Sequence, residues 1–450
     1  PFVYAWDGTQ WRFYSDCLWA APIGLQAPEG GLVPTRNWEF LRLPPDSLGI
    51  TDGTYRVMFS EELWEVAYFD HVRLQTIDHP ENVEVHINDK VGPPEIVQHR
   101  LYAVAEKILP RSAIDQQGRD VVATIQHEDQ QFLRSFDHRL TQGYVEQHEL
   151  ILEFPVSDLE RYTLFFTGWI QPTDTSINVM LQQHPDLSGP EFPNLMVVGE
   201  DGQWQPATRP MGFPGGKTKT MAVPLNDLFP TGDQRLKIVT SAEIYWDQVF
   251  VADTSDKPQF LEQSADLVLA TLSFRGTARR LVSQPNGPEL FDANDLSSTT
   301  VWPPVLGVMP DYGDVLGLVE TPDDRLAILG AGDALELHFK VPLQAVPPGY
   351  RRTFLLYTVG YDKDSDLHTL EGQQVGPMPF AGMREYPEYR ADPHRFDIAQ
   401  PETAGQQPLA PPYRWGRQQS WHRFWRQIQQ PQITHSIHEP KVPIPNVRTY

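Results

Sequence analysis

The stretch LKIVTSAEIYWDQVFV, residues 236–251, predicts two β-strands joined by a kink. Its apolar and polar residues alternate in the manner of a strand, and the acidic residues Glu243 and Asp247 flank an aromatic pair. A similar stretch, YRVMFSEELWEVAYFDHVRL, occupies residues 55–74. The acidic residues are either a catalytic carboxylate pair or part of the architecture, and the repetition bears on that choice.

Matching segments occur in the same order in two parts of the chain. FVYAWDGTQWRF and LMVVGEDGQWQP each join an apolar run, an acidic-Gly turn and Gln-Trp, which predicts a β-hairpin. Further matches join GRDVVATIQHEDQQFL to YGDVLGLVETPDDRLA, and HELILEFPVSDLERYTLFFTGW to ALELHFKVPLQAVPPGYRRTFLLYTVGY. The shared order predicts an internal duplication, with copies at roughly 1–190 and 195–380.

The repetition favours a structural role for the acidic residues. A feature present in both copies is more typical of a fold than of an active site. We therefore predict that Glu62, Asp70, Glu243 and Asp247 accept hydrogen bonds from backbone groups at strand kinks. An unpaired buried donor at such a kink would be costly.

Composition predicts the fold class. The 42 prolines and 31 glycines fall mostly between short alternating runs, which is typical of an all-β chain. We predict an all-β protein with two jelly-roll-like β-sandwiches that arise from the duplication, plus an extended C-terminal arm. No apolar run approaches the ~18–20 residues that span a bilayer, and a net charge of −23 disfavours nucleic acid as a partner.

The duplication allows two domain arrangements, tandem or permuted, and the linkers favour the permuted one. Polar and Pro-rich stretches flank the middle of the chain, where domain boundaries usually fall. The predicted units are a discontinuous sandwich of 1–98 and 267–382, an inserted galactose-binding-like sandwich of 99–266, and an arm of 383–450.

Several strings resemble one family. They include PFVYAWDGTQWRF, FTGWIQPTDTSINV, MGFPGGKTKTM and YGDVLGLVETPDDRLAILGAGD. Over about residues 1–385 the chain resembles the C-terminal β-rich region of large secreted bacterial proteins similar to cartilage acidic protein. Those proteins carry FG-GAP repeats, an ASPIC/UnbV segment and sometimes tetratricopeptide repeats. The resemblance implies an extracellular or cell-surface setting, with the periplasm as an alternative, and a binding or scaffolding role.

The chain departs from the full pattern of that family. It contains no Asp-x-Asp-x-Asp-Gly propeller repeat and no recognisable ASPIC/UnbV segment. The calcium or ligand properties of the propeller are therefore not expected here. The chain begins at Pro1 without a signal-peptide pattern, so we expect a processed protein or a piece of a longer one.

One glycine-rich string is close to a phosphate-binding loop. MGFPGGKTK, residues 211–219, has Met211 where the pattern G-x-x-x-x-G-K-[ST] requires glycine. The run that follows predicts a strand, whereas a phosphate loop needs a helix. We therefore interpret the string as a tight turn without nucleotide.

The acidic string YDKDSDLHT is the candidate metal site. Asp362, Asp364 and Asp366 occupy alternate positions, and Ca²⁺ takes six to eight oxygen ligands. Two interpretations stay open, a solvated acidic turn and a calcium site. The sequence indicates no other cofactor.

Signals of catalysis are weak. The chain has no Gly-x-Ser-x-Gly string and no His-Glu-x-x-His string, and its one cysteine, Cys17, has no basic neighbour in sequence. We predict a non-catalytic binding or scaffolding module that mediates protein assembly. The alternative is a carbohydrate-binding module or a carbohydrate-active enzyme, because an exposed Trp can stack on a sugar and carboxylates can pair in three dimensions.

The C-terminal arm is the candidate partner-binding element. It is rich in Pro, Gln and aromatic residues and has more basic than acidic residues, in contrast to the rest of the chain. We expect it to dock on the acidic body or on an acidic neighbour, in self-assembly or with a protein partner. The candidate contact residues are Trp415, Trp421, Phe424 and Trp425, the last three on one face of a predicted short helix.

Overall fold

In the described part of the chain, most of the regular secondary structure is antiparallel β-sheet. A computed structural model describes residues 1–97, 100–255, 260–282, 287–388, 413–415 and 426. Strands make up 47% of it and helices 5%, which confirms the predicted all-β class. In the described residues, no helix is both long enough and apolar enough to cross a membrane.

Most of the elements are short, and three strands, β5, β17 and β26, are long. The first strands are β1 (Phe2–Trp6), β2 (Trp11–Asp16), β3 (Trp38–Leu43), β4 (Thr54–Ser60), β5 (Glu65–Pro80), β6 (Glu84–Ile87), β7 (Lys90–Val91), β8 (Leu101–Val104), β9 (Ser112–Asp115), β10 (Arg139–Thr141), β11 (Tyr144–Glu153) and β12 (Tyr162–Gln171). Next come β13 (Asn194–Val198), β14 (Trp204–Pro206), β15 (Phe213–Pro214), β16 (Lys219–Pro224), β17 (Leu236–Asp253), β18 (Leu261–Ala265), β19 (Leu267–Phe274), β20 (Thr277–Val282) and β21 (Glu289–Ser297). The last are β22 (Val308–Pro310), β23 (Gly313–Asp314), β24 (Ala327–Leu329), β25 (Asp333–Lys340), β26 (Tyr350–Asp364) and β27 (Tyr413–Trp415). The α-helix α1 spans Thr175–Gln183, and 3-10 turns span Val122–Thr124, Leu159–Arg161 and Leu316–Leu318.

The first sandwich combines strands from both ends of the chain. Its six-stranded sheet has the order β2-β1-β4-β25-β19-β23, and its five-stranded sheet has the order β18-β5-β26-β3, with β24 also on β5. Phe59 on β4 stacks on Phe69 of β5 with ring centroids 4.5 Å apart, so the two sheets share one core.

The second sandwich is one eight-stranded sheet that the long β17 divides into two layers. Residues 236–242 of β17 pair with β11, and residues 243–253 pair with β12. β13 also pairs with the first half of β17, and β16 with β12. Phe166 and Trp246, 5.0 Å apart between ring centroids, lie in the core that results.

Strand pairing links distant parts of the sequence. β4 pairs with β25 and β5 pairs with β26, so the first 80 residues find partners beyond residue 260. Between β9 and β17 the strands pair largely among themselves, and β6–β8 and β7–β15 connect the two groups. This pairing is compatible with the permuted arrangement, and the domain limits at 98, 266 and 382 stay a prediction.

A matching bulge interrupts β5 and β17. Between β12 and β17 the register passes from Thr167↔Gln248 to Gly168↔Trp246, which leaves Asp247 without a cross-strand partner. Between β26 and β5 the register passes from Val359↔His71 to Gly360↔Phe69, which leaves Asp70 out in the same way. A bulge bends its strand and increases the local twist. The sequence predicts two strands joined by a kink within residues 236–251, whereas the structure has the single strand β17 with a β-bulge at Asp247.

Both bulged aspartates hold a turn of a neighbouring segment. Asp247 Oδ1 accepts hydrogen bonds from the backbone N–H groups of Asp129 (3.2 Å) and Gln130 (3.0 Å). Asp70 Oδ1 accepts from those of Asp323 (3.0 Å) and Asp324 (2.7 Å). Gln130 and Asp324 both have a φ of 65°, so each turn has a left-handed residue at the matching position.

The glutamates also act as acceptors. Glu243 Oε2 accepts from the backbone N–H of Gly143 at 2.9 Å, and Glu62 Oε2 accepts from that of Ala278 at 2.9 Å. Tyrosine hydroxyls donate to the other oxygens, Tyr245 to Glu243 at 2.6 Å and Tyr4 to Glu62 at 2.9 Å. All four acidic residues thus bind backbone donors, as the sequence predicts.

Substitution of a bulge glycine tests how tightly these strands pack. A Cβ atom at Gly360 would overlap the carbonyl oxygen of Tyr68, which is backbone and cannot move aside cheaply. We expect Gly360→Ala to lower the free energy of unfolding by about 1–3 kcal/mol, the usual cost of overpacking. The measurement is the urea midpoint of Gly360→Ala against that of Gly317→Ala, where no heavy atom lies within 4 Å of the added carbon. Equal midpoints would show that the bulge tolerates a side chain.

Candidate functional site

The glycine-rich loop before β16 extends from the second sandwich to the first. Gly216 has a φ of 115°, in the left-handed region that favours glycine. A Cβ atom at this position would overlap Asp16 Oδ1 at the end of β2. Glycine therefore allows the loop to approach the first sandwich closely. The string MGFPGGKTK, which is close to the phosphate-loop pattern, therefore contacts the first sandwich at this glycine.

Two lysines that follow this glycine join the sandwiches. Lys217 donates to Asp16 twice, from its backbone N–H to Oδ1 at 2.9 Å and from Nζ to Oδ2 at 3.2 Å. Lys219 is 1% exposed, and its Nζ donates to the Asp16 carbonyl at 2.8 Å and lies 3.3 Å from Asp89 Oδ2. With the buried Glu39, these residues form what we call the ion network (Asp16, Glu39, Asp89, Lys217 and Lys219).

The network keeps its central lysine charged. Burial acts to lower the pKa of Lys219, but the carboxylates of Asp89, Glu39 and Asp16 outweigh burial and raise it above its usual value. Burial also raises the pKa of Glu39 to about 7, against the opposing effect of Lys219. The cation is thus the element that makes the buried carboxylates tolerable.

Aromatic rings extend the junction. Lys217 Nζ lies 5.1 Å from the ring centre of Phe2 in the first sandwich and 5.5 Å from that of Trp169 in the second. Phe13 on β2 contacts both of these rings. A cation desolvated against aromatic faces gains about 2 kcal/mol or more. The junction therefore combines charge, hydrogen bonds and apolar packing.

Helix α1 forms a second junction between the sandwiches. Asp174 caps its N-terminus by accepting from the Ile177 N–H at 2.7 Å. The Thr175 hydroxyl lies 2.8 Å from that of Thr369, and Asn178 Nδ2 donates to the Gln26 carbonyl at 2.6 Å. The helix therefore contacts the acidic turn that follows β26.

The predicted calcium ligands have separate surroundings. Asp366 Oδ1 accepts from the Ser176 hydroxyl of α1 at 2.8 Å, and Asp364 Oδ1 accepts from the Asp366 N–H at 3.0 Å. In the part of the chain that the structure describes, one group of three or more acidic, His or Cys residues has ligand atoms within 4.8 Å of one another. It consists of Glu61, Glu65 and Asp362. Asp362 thus joins the two glutamates, and calcium at Asp362, Asp364 and Asp366 stays a prediction.

The cluster of Glu61, Glu65 and Asp362 is deeply placed. Burial, reinforced by the neighbouring Glu65, raises the pKa of both Glu61 and Asp362 well above the usual range. The Pro1 nitrogen lies 3.4 Å from Glu61 Oε2 and 3.3 Å from Glu65 Oε1. A close acidic group of this kind does not by itself define a cation site.

A cleft of about 510 Å³ opens beside the ion network, between the two sandwiches. Lys219, Asp89 and Asp247, all buried, lie among its lining residues. The rest of the lining includes the aliphatic residues Leu41, Pro44, Ile87, Leu281 and Leu290, aromatic rings and polar side chains. Half-buried or buried aromatic rings come from Trp11, Phe13, Tyr14 and Phe291, and polar side chains come from Gln10, Arg12, Arg42, Glu128, Asp129, Gln130, Asp292 and Asn294.

An ion pair joins the two walls of the cleft. Arg42 on β3 donates to Glu128 Oε2 of the second sandwich at 3.1 Å. Asn294 on β21 binds the backbone of Trp11 on β2 in both directions, at 3.1 and 2.8 Å. These contacts connect segments that line the cleft.

Asp247 is the most conspicuous ionisable group at the cleft. Burial raises its pKa to about 7, although two backbone N–H groups oppose that shift. Perturbed pKa values cluster at catalytic sites, but structural networks perturb them as well. Burial likewise raises the pKa of Asp70, which lies at the matching bulge of the first sandwich, to about 6. The pKa of Asp247 is therefore explained by the architecture.

The predicted contact residues of the arm lie mostly outside the described residues. Three of them lie outside the described residues: Trp421, Phe424 and Trp425. For Trp415 the structure describes only the backbone, within β27. β27 pairs with β22, with Val308 opposite Trp415 and Pro310 opposite Tyr413.

The cleft was not predicted from the sequence. Its walls come from β2, β3, β21 and the turn before residue 131, which are far apart in the chain. The one local signal was the string GTQWRFY, in which polar and aromatic residues follow a tight turn.

Comparison with known proteins adds no assignment. No protein-family model matches the chain, and no curated protein matches it significantly. The resemblance to the β-rich region of cartilage-acidic-protein-like bacterial proteins therefore stays a prediction.

Removal of the central lysine tests the ion network. Lys219→Met leaves the buried carboxylates without their cation, and breaking a buried pair in this way costs about 3–5 kcal/mol. We expect a loss of that size in the free energy of unfolding, measured by urea denaturation with tryptophan fluorescence.

The matched control is Lys237→Met. Lys237 Nζ pairs with Glu149 at 3.0 Å, and Glu149 is one-third exposed, so its loss should cost about 0–1 kcal/mol. If Lys219→Met and Lys237→Met lower the free energy of unfolding by equally small amounts, the ion network does not hold the sandwiches together.

Proposed function

We propose that the chain is a non-catalytic binding and scaffolding module of two duplicated, jelly-roll-like sandwiches. Support for the duplication comes from the paired bulges at Asp70 and Asp247, whose carboxylates each bind a turn with a left-handed residue at the matching position. The order of the matching sequence segments supports it independently. In this proposal the domains follow the permuted arrangement.

The observation that carries a scaffolding role is the strand added by the arm. β27 pairs antiparallel with β22, and the Tyr413 side chain is buried there. Its hydroxyl donates to the Leu326 carbonyl at 2.7 Å. Addition of an extended segment to a strand edge is a common mode of peptide recognition, in which the backbone gives affinity and side-chain pockets give specificity.

The first residues of the arm pack into the body. Tyr386 is buried and accepts a hydrogen bond from the buried Lys363 Nζ at 2.8 Å. The Lys363 ammonium also donates to the carbonyls of Val375 and Gly376, each at 3.1 Å. A truncation that removes Tyr386 would therefore damage the body, and a cut after Glu388 is the cleaner experiment.

A non-catalytic role is supported by the state of the carboxylates. Asp247 and Glu243 accept hydrogen bonds from backbone groups, and the same holds for Asp70 and Glu62, which do not line the cleft. The extracellular or cell-surface setting is proposed from the family resemblance. The alternative of a carbohydrate-binding module is favoured by one observation, the aromatic residues that line the cleft.

Truncation tests the assembly role. A chain that ends at Glu388 should keep its far-ultraviolet circular dichroism and lose self-association or partner binding, because β27 is removed. The measurement is sedimentation velocity of the full and truncated chains over a range of concentrations, with a pull-down from the native source.

Tyr413→Ala in the full chain is the companion variant, because it removes only the buried anchor of β27. We expect it to weaken association in the same direction as the truncation. If assembly state and partner binding are unchanged in both, the arm has no scaffolding role.

A further inference from the structure

We propose that the cleft between the sandwiches binds a short, neutral oligosaccharide. This inference rests on the cleft alone and does not depend on the assembly role of the arm. It uses the lining chemistry, the charge balance, the size and the fixed position of the walls.

The lining offers the two kinds of contact that a sugar requires. A sugar ring presents apolar C–H faces and a rim of hydroxyl groups. Trp11 and Tyr14 are half-buried aromatic side chains at the cleft, and amphipathic aromatics of this kind combine apolar area with a polar group. The carboxylates of Asp129 and Asp292 and the amide of Gln130 are planar groups that can pair with adjacent hydroxyls.

The charge balance argues against an anionic ligand. Arg12 pairs with Asp7, Arg42 with Glu128, and Lys219 with Asp89. The carboxylates of Asp129 and Asp292 line the same cleft without an ion pair among those described. Phosphates, sulfated glycans and uronic acids would meet this negative potential, whereas a neutral sugar would not.

Size and rigidity fit a small ligand. The volume of about 510 Å³ lies in the roughly 300–1,000 Å³ range of small-molecule sites. The buried ion network holds together the two sandwiches that supply the walls, so binding does not have to order them. Such pre-organisation favours affinity.

The test is a panel of neutral oligosaccharides, with linked glucose, galactose, mannose and xylose units, and a matched set of sulfated and uronic-acid glycans. The full chain is titrated by calorimetry with those that bind on an array. We expect at least one neutral oligosaccharide to bind, with no binding of the anionic set.

Three variants locate the site. Trp11→Ala should weaken binding at least tenfold, and so should Asp292→Asn, which keeps an acceptor for the Asn294 N–H and disturbs the fold less. Trp204→Ala is the control, because Trp204 lies on β14, is half-buried under Lys237 and does not line the cleft. The Trp204→Ala variant should bind the neutral oligosaccharide with unchanged affinity.

Three outcomes would overturn the proposal. They are no binding of any neutral oligosaccharide at millimolar concentration, binding of anionic glycans alone, and unchanged affinity in both Trp11→Ala and Asp292→Asn. Failure here would leave the assembly role of the arm untouched, and failure of that role would leave this site untouched.

Discussion

The arrangement of the molecule depends on two buried lysines that cross from one sandwich to the other. Lys217 and Lys219 follow a glycine-rich loop of the second sandwich and bind Asp16 at the end of β2 in the first. A lysine removed from water is tolerated only when its charge is paired and its donors are satisfied. Asp16 and Asp89 supply the opposite charge and the hydrogen-bond acceptors. These contacts fix the position of the first sandwich relative to the second. The cleft beside them is a consequence of that position.

The carboxylates illustrate why unusual pKa values need a structural explanation before a catalytic one. Asp247 lies at a cleft and has a pKa near neutrality, which are two features of a general acid. Asp70 has the same bulge, the same kind of turn and a similarly raised pKa without that cleft. The pair shows that burial at a β-bulge is sufficient to produce the shift.

Local patterns predicted more of the fold than of the site. Alternation and turn residues indicated the strands, and the repetition correctly indicated that Asp70 and Asp247 bind backbone groups. Helix α1 was not predicted, although Asp174 followed by TSINVMLQQ carries an N-cap signal. The partners of Lys217 and Lys219 lie about 200 residues away in Asp16, and no local pattern reports such a contact. The cleft could not be predicted for the same reason, because its lining residues come from distant parts of the chain.

The central claim is that the ion network and helix α1 make the two sandwiches one cooperative unit. Differential scanning calorimetry of the full chain tests it most directly, because the ratio of calorimetric to van't Hoff enthalpy reports whether a transition is two-state. We expect a single unfolding transition with a ratio near one. Two resolved transitions, each with its own enthalpy, would show that the sandwiches unfold independently and would contradict the claim.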